Sequence, residues 1–159
     1  MRRKAIWLSL IVLSSLSLAA GLAKAKDAAP SNVAWKDLKA GTDDKARREF
    51  MKKVVMPKMK PIFQKFDPKK FKEFTCQTCH GEDAAELKYK MPTPGIHPLP
   101  STPEAFKAKV QATPGWQKWT EFMAGQVEPV MAELLGRTPF NPEKPAKDAF
   151  SCAGCHKLE

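Results

Sequence analysis

Two short cysteine–histidine motifs constrain this 159-residue chain more than any other feature of its sequence. All four cysteines fall into C-x-x-C pairs, and a histidine follows each pair directly, in residues 76–80 and 152–156. His97 is the third and last histidine of the chain. A helical turn brings cysteines three residues apart to one face, with the histidine beside them. A chain of this length forms one modest domain, which must accommodate both turns.

The C-x-x-C-H pattern is the attachment signature of c-type haem. On one helical turn, the two thiols reach the two vinyl groups of one porphyrin, and the adjacent imidazole becomes the proximal iron ligand. We therefore predict two haem c groups, with His80 and His156 as proximal ligands. The predicted thioethers are formed by Cys76, Cys79, Cys152 and Cys155.

Other cysteine chemistries remain as alternatives. Two C-x-x-C pairs can bind zinc, but such a site does not need the histidines. Plain disulfides are normal in exported proteins, and four cysteines allow three connectivities. A thioredoxin-like dithiol would need a βαβ context that the sequence lacks. We favour haem because two of only three histidines occupy the ligand position.

The N-terminal segment has the pattern of a secretory signal peptide, which we assign to residues 1–25. Positions 2–4 are basic, positions 5–20 form an uncharged apolar run, and positions 23–25 fit a small-x-small cleavage pattern. The apolar run is short for a membrane span, although an uncleaved anchor is the alternative. We expect cleavage, a periplasmic location and no stable membrane span.

The charge balance favours protein partners over nucleic acid. The whole chain has a formal net charge of +10, but four basic residues and no acidic ones lie in residues 1–25, which leaves +6 for residues 26–159. A moderate positive charge suits redox partner proteins with acidic docking surfaces. We predict no nucleic-acid partner, and no glycine-rich nucleotide-binding run is present.

The second half of the chain repeats a pattern of the first half. F-M-x3-V-x-P-x-M begins at residues 50 and 122, and F-x-C-x2-C-H begins at residues 74 and 150. We interpret this as an internal duplication into units of about 43–92 and 101–159, each with one haem. Residues 26–42 are assigned to an N-terminal tail.

We predict an all-α fold in which the two repeated helix–CxxCH units form one domain over residues 43–159. The apolar periodicity indicates long helices from Asp43 to about Phe66 and from Trp116 to about Leu135. Prolines inside both helices, Pro57 and Pro129, should kink them. Shorter helices are expected at 103–110 and over each C-x-x-C-H motif. The proline-rich stretch 91–103 should be an extended connector.

The sixth ligand of each iron is less constrained. Beyond the two proximal ligands the chain has a single further histidine, so it cannot supply two histidine ligands to each of two irons. Methionine is the natural alternative. Met131 and Met59 are symmetric candidates on inward helical stripes, although methionine more commonly fills core gaps. Met91 in the connector is their rival, and His97 is a weaker candidate that otherwise faces solvent. The remaining helical methionines are expected to be packing residues: Met51, Met56 and Met123.

The chain resembles a small exported dihaem c-type cytochrome. Its C-terminal half, with a methionine-bearing helix followed by C-x-x-C-H, partly resembles the helical-bundle class II cytochromes. In that family the haem motif lies near the C-terminus, and the distal position is methionine or open. This chain departs by having two motifs and one clear long helix per unit, so both units together would have to form a four-helix bundle. The resemblance covers about residues 43–159.

The resemblance and motifs together predict an electron-transfer protein, with no catalytic residues assigned. One alternative is a haem enzyme or gas-binding cytochrome with an open or displaceable axial site, peroxidase-like or class II-like. Another is an electron-carrying subunit of a larger respiratory complex.

Overall fold

The computed structural model describes residues 33–159 of the chain. The expected signal peptide at 1–25 and the start of the tail at 26–42 lie outside this range. The prediction of an all-α fold is confirmed for the described residues, where β-type pairing is limited to three isolated bridges. In the same part of the chain, no helix combines the length and apolarity needed to cross a membrane.

Two long helices dominate the fold, and each consists of two α-helical segments joined by a π turn. The first long helix comprises Asp44–Phe50, the π turn Met51–Val55 and Met56–Phe66. The second long helix comprises Trp116–Phe122, the π turn Met123–Val127 and Glu128–Leu134. Both begin and end close to the predicted bounds. The two π turns occupy matching places in the repeated sequence pattern.

Shorter elements complete the described chain. An α-helix spans Cys76–His80, and another spans Pro103–Ala112. Single 3-10 turns occur at Trp35–Asp37, Glu82–Ala84 and Cys152–Gly154. The connector contains no helix, as its prolines predict.

Each π turn lies immediately before the proline that was expected to kink its helix. The N–H of Met56 donates to the carbonyl of Met51, and the N–H of Glu128 donates to the carbonyl of Met123, five residues back in each case. Pro57 follows the first of these donors and has no N–H of its own. In the π turn the backbone N–H groups bond to carbonyls five residues back instead of four. This change comes just before the missing donor, and the helix continues past the proline.

Side chains and glycine fix the helix ends. The second long helix ends in a Schellman motif, in which Gly136 adopts φ +64° and its N–H donates to the carbonyl of Glu133. Thr102 caps the helix at 103–112 by accepting from the N–H of Ala105. The Asp43 carboxylate instead accepts from the N–H of Lys39, so it closes the turn that precedes the first long helix.

An aromatic core joins the two long helices. The Phe66 and Phe122 rings stack with centroids 3.9 Å apart, and Phe63 meets Phe122 edge-to-face at 5.2 Å. Aromatic pairs of this kind contribute about 0.5–1.5 kcal/mol beyond their burial. The fully or nearly buried members of this core cluster are Phe50, Val55, Met59, Phe63, Phe71, Phe74 and Phe122. This core lies mainly between the helices, and Cys79 packs against it. A second, smaller hydrophobic cluster consists of Ala132, Leu135 and Phe150, and Cys155 of the second motif packs against it.

The described part of the N-terminal tail packs onto the first long helix. The Trp35 ring lies 5.6 Å from Phe50, and the Arg47 guanidinium lies 4.0 Å above Trp35. Arg47 also donates to the carbonyl of Leu38 at 2.9 Å. These contacts cover the beginning of the helix with residues that precede it.

The connector pairs with the C-terminal residues. Leu99 N–H donates to the carbonyl of Lys157, and Glu159 N–H donates to the carbonyl of Leu99, both at 2.9 Å. Further along, the N–H of Ser101 donates to the carbonyl of Glu159 at 2.8 Å. This short parallel pairing brings the connector against the second C-x-x-C-H motif.

Candidate functional site

The first motif, residues 76–80, forms the short α-helix that the sequence predicts. The N–H of Thr75, just before the helix, donates to the Thr78 hydroxyl at 3.1 Å. Gly81 ends the helix by donating to the carbonyl of Gln77 at 2.9 Å. The helix is thus limited to the residues of the motif itself.

The connector approaches the end of this helix so closely that glycine is required on both sides. Gly81 has φ +84°, and a Cβ atom at this position would overlap the backbone of Gly95. A Cβ atom on Gly95 would lie 2.9 Å from the carbonyl oxygen of His80. Both glycines therefore allow backbone contact that any side chain would prevent.

The second motif, residues 152–156, differs from the predicted helix. It forms a 3-10 turn at Cys152–Gly154, and the N–H of His156 still reaches the carbonyl of Cys152 at 2.9 Å. From His156 onward the chain is extended because it forms a parallel bridge with Thr93. The pairing with the connector thus replaces a further turn of helix.

Thr93 joins the two motifs through both its backbone and its side chain. Its N–H donates to the carbonyl of Cys155 at 3.1 Å. Its hydroxyl donates to the carbonyl of His80 at 3.2 Å and accepts from the N–H of Gly95 at 3.1 Å. Thr93 is 1% exposed, so these polar groups are shielded from water. The two motifs are consequently neighbours in the fold, although about 70 residues separate them in sequence.

The cysteine thiols carry a second sign of this proximity. All four are free. Burial raises the pKa of the Cys79 thiol to about 12, and the next contribution comes from Cys155, ahead of Cys76 in the same motif. Burial likewise raises the pKa of Cys155 to about 11, with a smaller contribution from Cys152. The Cys79 and Cys155 thiols therefore stay protonated at neutral pH.

The two motif histidines are supported differently. His156 Nδ1 lies 2.6 Å from the carbonyl oxygen of His97, so Nδ1 carries the proton and Nε2 keeps a free lone pair. His80 Nδ1 is buried without a hydrogen-bond partner, and burial lowers the pKa of this imidazole. Burial thus favours the neutral form of the His80 ring, which is the form that binds a metal.

A cleft of about 380 Å³ opens beside the second motif. One wall comes from the second long helix, including Trp116 and Trp119, and the other includes Cys152 and His156. The lining is predominantly aromatic and aliphatic, with Lys70 at its edge. Apolar clefts of a few hundred Å³ with a few polar groups are typical of cofactor and ligand sites.

The predicted sixth ligands occupy different surroundings. Met59 is 2% exposed within the core between the long helices. Met131 is partly buried and packs against both hydrophobic clusters. Met91 is partly buried in the connector. His97 is exposed, with its ring edge-on to Trp116 at 5.4 Å and its carbonyl oriented to His156. These assignments stay predictions.

The residues of the second motif fit a covalently bound haem. The motif combines two free thiols with an imidazole whose Nδ1 is already held by a carbonyl, and it adjoins an apolar cleft. A ligating histidine normally donates its second ring nitrogen in this way. The first motif offers the same set of donor atoms, but its histidine lacks that partner.

The four cysteines are free in the structure, without a disulfide among them. Across residues 33–159, no three His, Cys, Asp or Glu side chains are grouped to hold a bare metal ion.

Local sequence patterns did not reveal several residues that shape this site. Thr93, Gly95 and the cleft-lining Met123 were not assigned to it, because their roles arise from contacts between distant segments. Gly81, directly after the first motif, and Gly95, within the connector, were the available signal for a close backbone approach. Comparison with protein-family models, curated proteins and solved structures gives no match.

Proposed function

We propose that this chain is a periplasmic electron-transfer protein that carries two c-type haems, one on each C-x-x-C-H motif. The observation that carries the proposal is the pair of motifs held side by side by Thr93, each with two free thiols and an adjacent imidazole. When bound, each haem supplies an iron that cycles between two oxidation states.

The chain's own residues hold and orient the cofactors in this proposal. The four motif cysteines would form the thioether links, and the two motif histidines would bind the irons, His156 through Nε2. The carbonyl of His97 keeps the proton of His156 on Nδ1 and so fixes the ring orientation. At the first motif, Tyr89 packs edge-on against His80 at 5.6 Å and limits rotation of that ring.

The neighbouring position of the motifs favours electron exchange within the protein. Thr93 contacts residues of both motifs directly. Two haems attached to adjacent turns share one small protein shell, so electrons can enter at one and leave from the other. The matching π turns at Met51–Val55 and Met123–Val127 support the proposed duplication into two such units.

The positive charge of the exported chain supports a transient acidic partner. The segment 26–159 carries +6, and the lysines at positions 69, 70 and 72 form an exposed basic patch before the first motif. Charge complementarity of this kind mainly accelerates association with redox partners. Lys70 also lies 4.4 Å from the Trp119 ring at the edge of the cleft, which places part of this charge beside the second motif.

Haem content after expression with a c-type maturation system is the direct test. We expect intact mass and the pyridine haemochrome assay to show two haems per chain. The double variant Cys76→Ser/Cys79→Ser and its counterpart Cys152→Ser/Cys155→Ser should each retain one haem. A chain that acquires no haem, or binds stoichiometric zinc instead, contradicts the proposal.

Carbon monoxide separates the carrier from the alternative with an open axial site. Two low-spin irons that ignore carbon monoxide support electron transfer as the main role. A high-spin fraction whose spectrum shifts with carbon monoxide would instead support a gas-binding protein or haem enzyme. The cleft beside His156 makes the second haem the one to examine for this behaviour.

A further inference from the structure

We propose that Met123 provides the sixth ligand of the iron bound by His156. This inference rests on the proposed function, because it requires a haem on the second motif. It changes the expectation from sequence, where Met123 was a packing residue and Met131 was the first candidate for this haem, with Met91 as its rival.

The cleft beside the second motif is lined by residues of the motif and by residues of the second long helix. Its motif wall carries His156 and Cys152, and its helical wall carries Trp116, Trp119 and Met123. A planar group linked to Cys152 and bound by His156 would enter the space between these walls. With His156 on one side of that group, the residues for its other side come from the helical wall, which contains Met123.

The residues that line this cleft include one methionine, Met123. It is partly buried and packs against the core on one side, so its position is fixed by neighbouring residues. Thioether sulfur is an established axial ligand of c-type haem iron and raises its potential. Met123 therefore combines a suitable donor atom with a place on the opposite wall.

The backbone at Met123 is also unusual. Met123 opens the π turn of the second long helix, and its carbonyl accepts from the N–H of Glu128. Single π turns inside α-helices occur frequently at functional sites because they change the direction of side chains relative to a regular helix. The π turn therefore places Met123 in a segment whose side-chain directions differ from those of an uninterrupted helix.

The competing donors are less well placed. The backbone carbonyl of His97 contacts Nδ1 of His156, and the His97 ring packs edge-on against Trp116 at 5.4 Å. Met131 packs against both hydrophobic clusters, with buried Ala132 and Leu135 next to it. Lys70 lines the cleft, but its ammonium is positioned over the Trp119 ring.

The corresponding methionine of the first unit has a different environment. Met51 also opens a π turn, but it packs against both hydrophobic clusters. The inference is therefore specific to the second haem. It implies that the two irons differ in their ligand environment despite the repeated sequence.

The test compares Met123→Leu with Met131→Leu in the fully matured protein. Both changes retain an apolar side chain of similar size, so they separate ligation from packing. Haem content is measured first by intact mass and the pyridine haemochrome assay. The readouts are the far-red iron–sulfur absorption band of the oxidised protein and the strongly upfield methyl resonance of a ligated methionine in the reduced protein.

We expect Met123→Leu to abolish one upfield methyl resonance and to make one haem per chain bind carbon monoxide. Met131→Leu should retain both wild-type features. Met123→His should restore a low-spin iron, with a lower reduction potential than wild type because imidazole replaces the thioether.

Three results would overturn the inference. The first is that the upfield methyl resonance persists in Met123→Leu. The second is that this resonance disappears in Met131→Leu instead. The third is that His97→Ala, and not Met123→Leu, makes one haem bind carbon monoxide. These outcomes with two haems attached leave the proposed function intact. A protein whose residues 152–156 carry no haem contradicts the proposed function and the ligand assignment together, and haem content alone identifies that case.

Discussion

The backbone N–H of Thr93 donates a 3.1 Å hydrogen bond to the carbonyl of Cys155. The hydroxyl of the same threonine donates to the carbonyl of His80 in the other motif. One buried residue of the connector therefore fixes the relative position of two sites that the sequence places far apart. The first prediction tests this relationship.

Replacing Thr93 by valine should destabilise the protein by about 1–3 kcal/mol. The substitution keeps the shape of the side chain but removes the hydroxyl, which leaves the His80 carbonyl and the Gly95 N–H without this partner in a buried place. Urea unfolding followed by circular dichroism measures the change.

The matched control is Thr138→Val, because Thr138 is exposed and its hydroxyl makes no hydrogen bond in the structure. This variant should unfold within about 0.5 kcal/mol of the parent protein. Equal stability of Thr93→Val and Thr138→Val would show that the Thr93 hydroxyl does not stabilise the junction.

The contact between Gly81 and Gly95 gives a second prediction. Gly95→Ala should reduce stability by about 1–3 kcal/mol, since its new methyl group would press against the carbonyl of His80 and the backbone must shift. Thermal unfolding provides the measurement.

Gly125→Ala is the control for this change. Gly125 lies in the π turn of the second long helix, and a Cβ atom there would meet no other atom within 4 Å. Alanine should be neutral or stabilise the helix by up to about 1 kcal/mol. A tolerated Gly95→Ala variant would contradict the close approach.

Arg137 supplies a third test, in the loop that leads to the second motif. Its guanidinium donates to the carbonyls of Asp148 and Ala149, with the shortest bond at 2.7 Å. Arg137→Gln should cost about 1–2 kcal/mol and increase proteolysis within residues 138–149, because these charge-assisted bonds hold the loop. Arg48→Gln, at an exposed arginine with no such bonds, should leave the cleavage rate unchanged.

The buried thiols predict a pH dependence for the haem-free chain under reducing conditions. The pKa values of Cys79 and Cys155 are raised by burial to about 12 and about 11. In the unfolded chain a thiol ionises near 8.5. The unfolded state therefore loses these protons first, and stability is retained below about pH 8.5 and falls as the pH rises above it.

Each thiol should contribute a slope of about 1.4 kcal/mol per pH unit in this range. Urea midpoints between pH 7 and pH 10 measure the effect, and Cys79→Ala should reduce the slope. A flat profile in the parent chain would show that these thiols are accessible to water.

The sequence predicted the helices better than the junction between the motifs. Apolar periodicity placed both long helices, because this signal is local. Pro57 and Pro129 indicated that the regular hydrogen bonding of each long helix is interrupted, but a missing N–H can produce either a kink or a π turn. The outcome depends on packing between the helices.

The second motif shows why the remaining differences arose. Its spacing is identical to that of the first motif, which does form a helix. Pairing of His156 with Thr93 replaces the last helical turn, and that partner lies in a different segment. Contacts between segments distant in sequence, such as those of Thr93, leave no periodic signal in either segment.

The bond between Thr93 and Cys155 also has a consequence for the order of events during synthesis. As the chain emerges from its N-terminal side, residue 155 follows residue 80 by about 75 residues. Until residue 155 is available, Thr93 lacks the carbonyl to which its N–H donates. The junction between the two motifs is therefore a late contact in folding, formed after both long helices are available to pack.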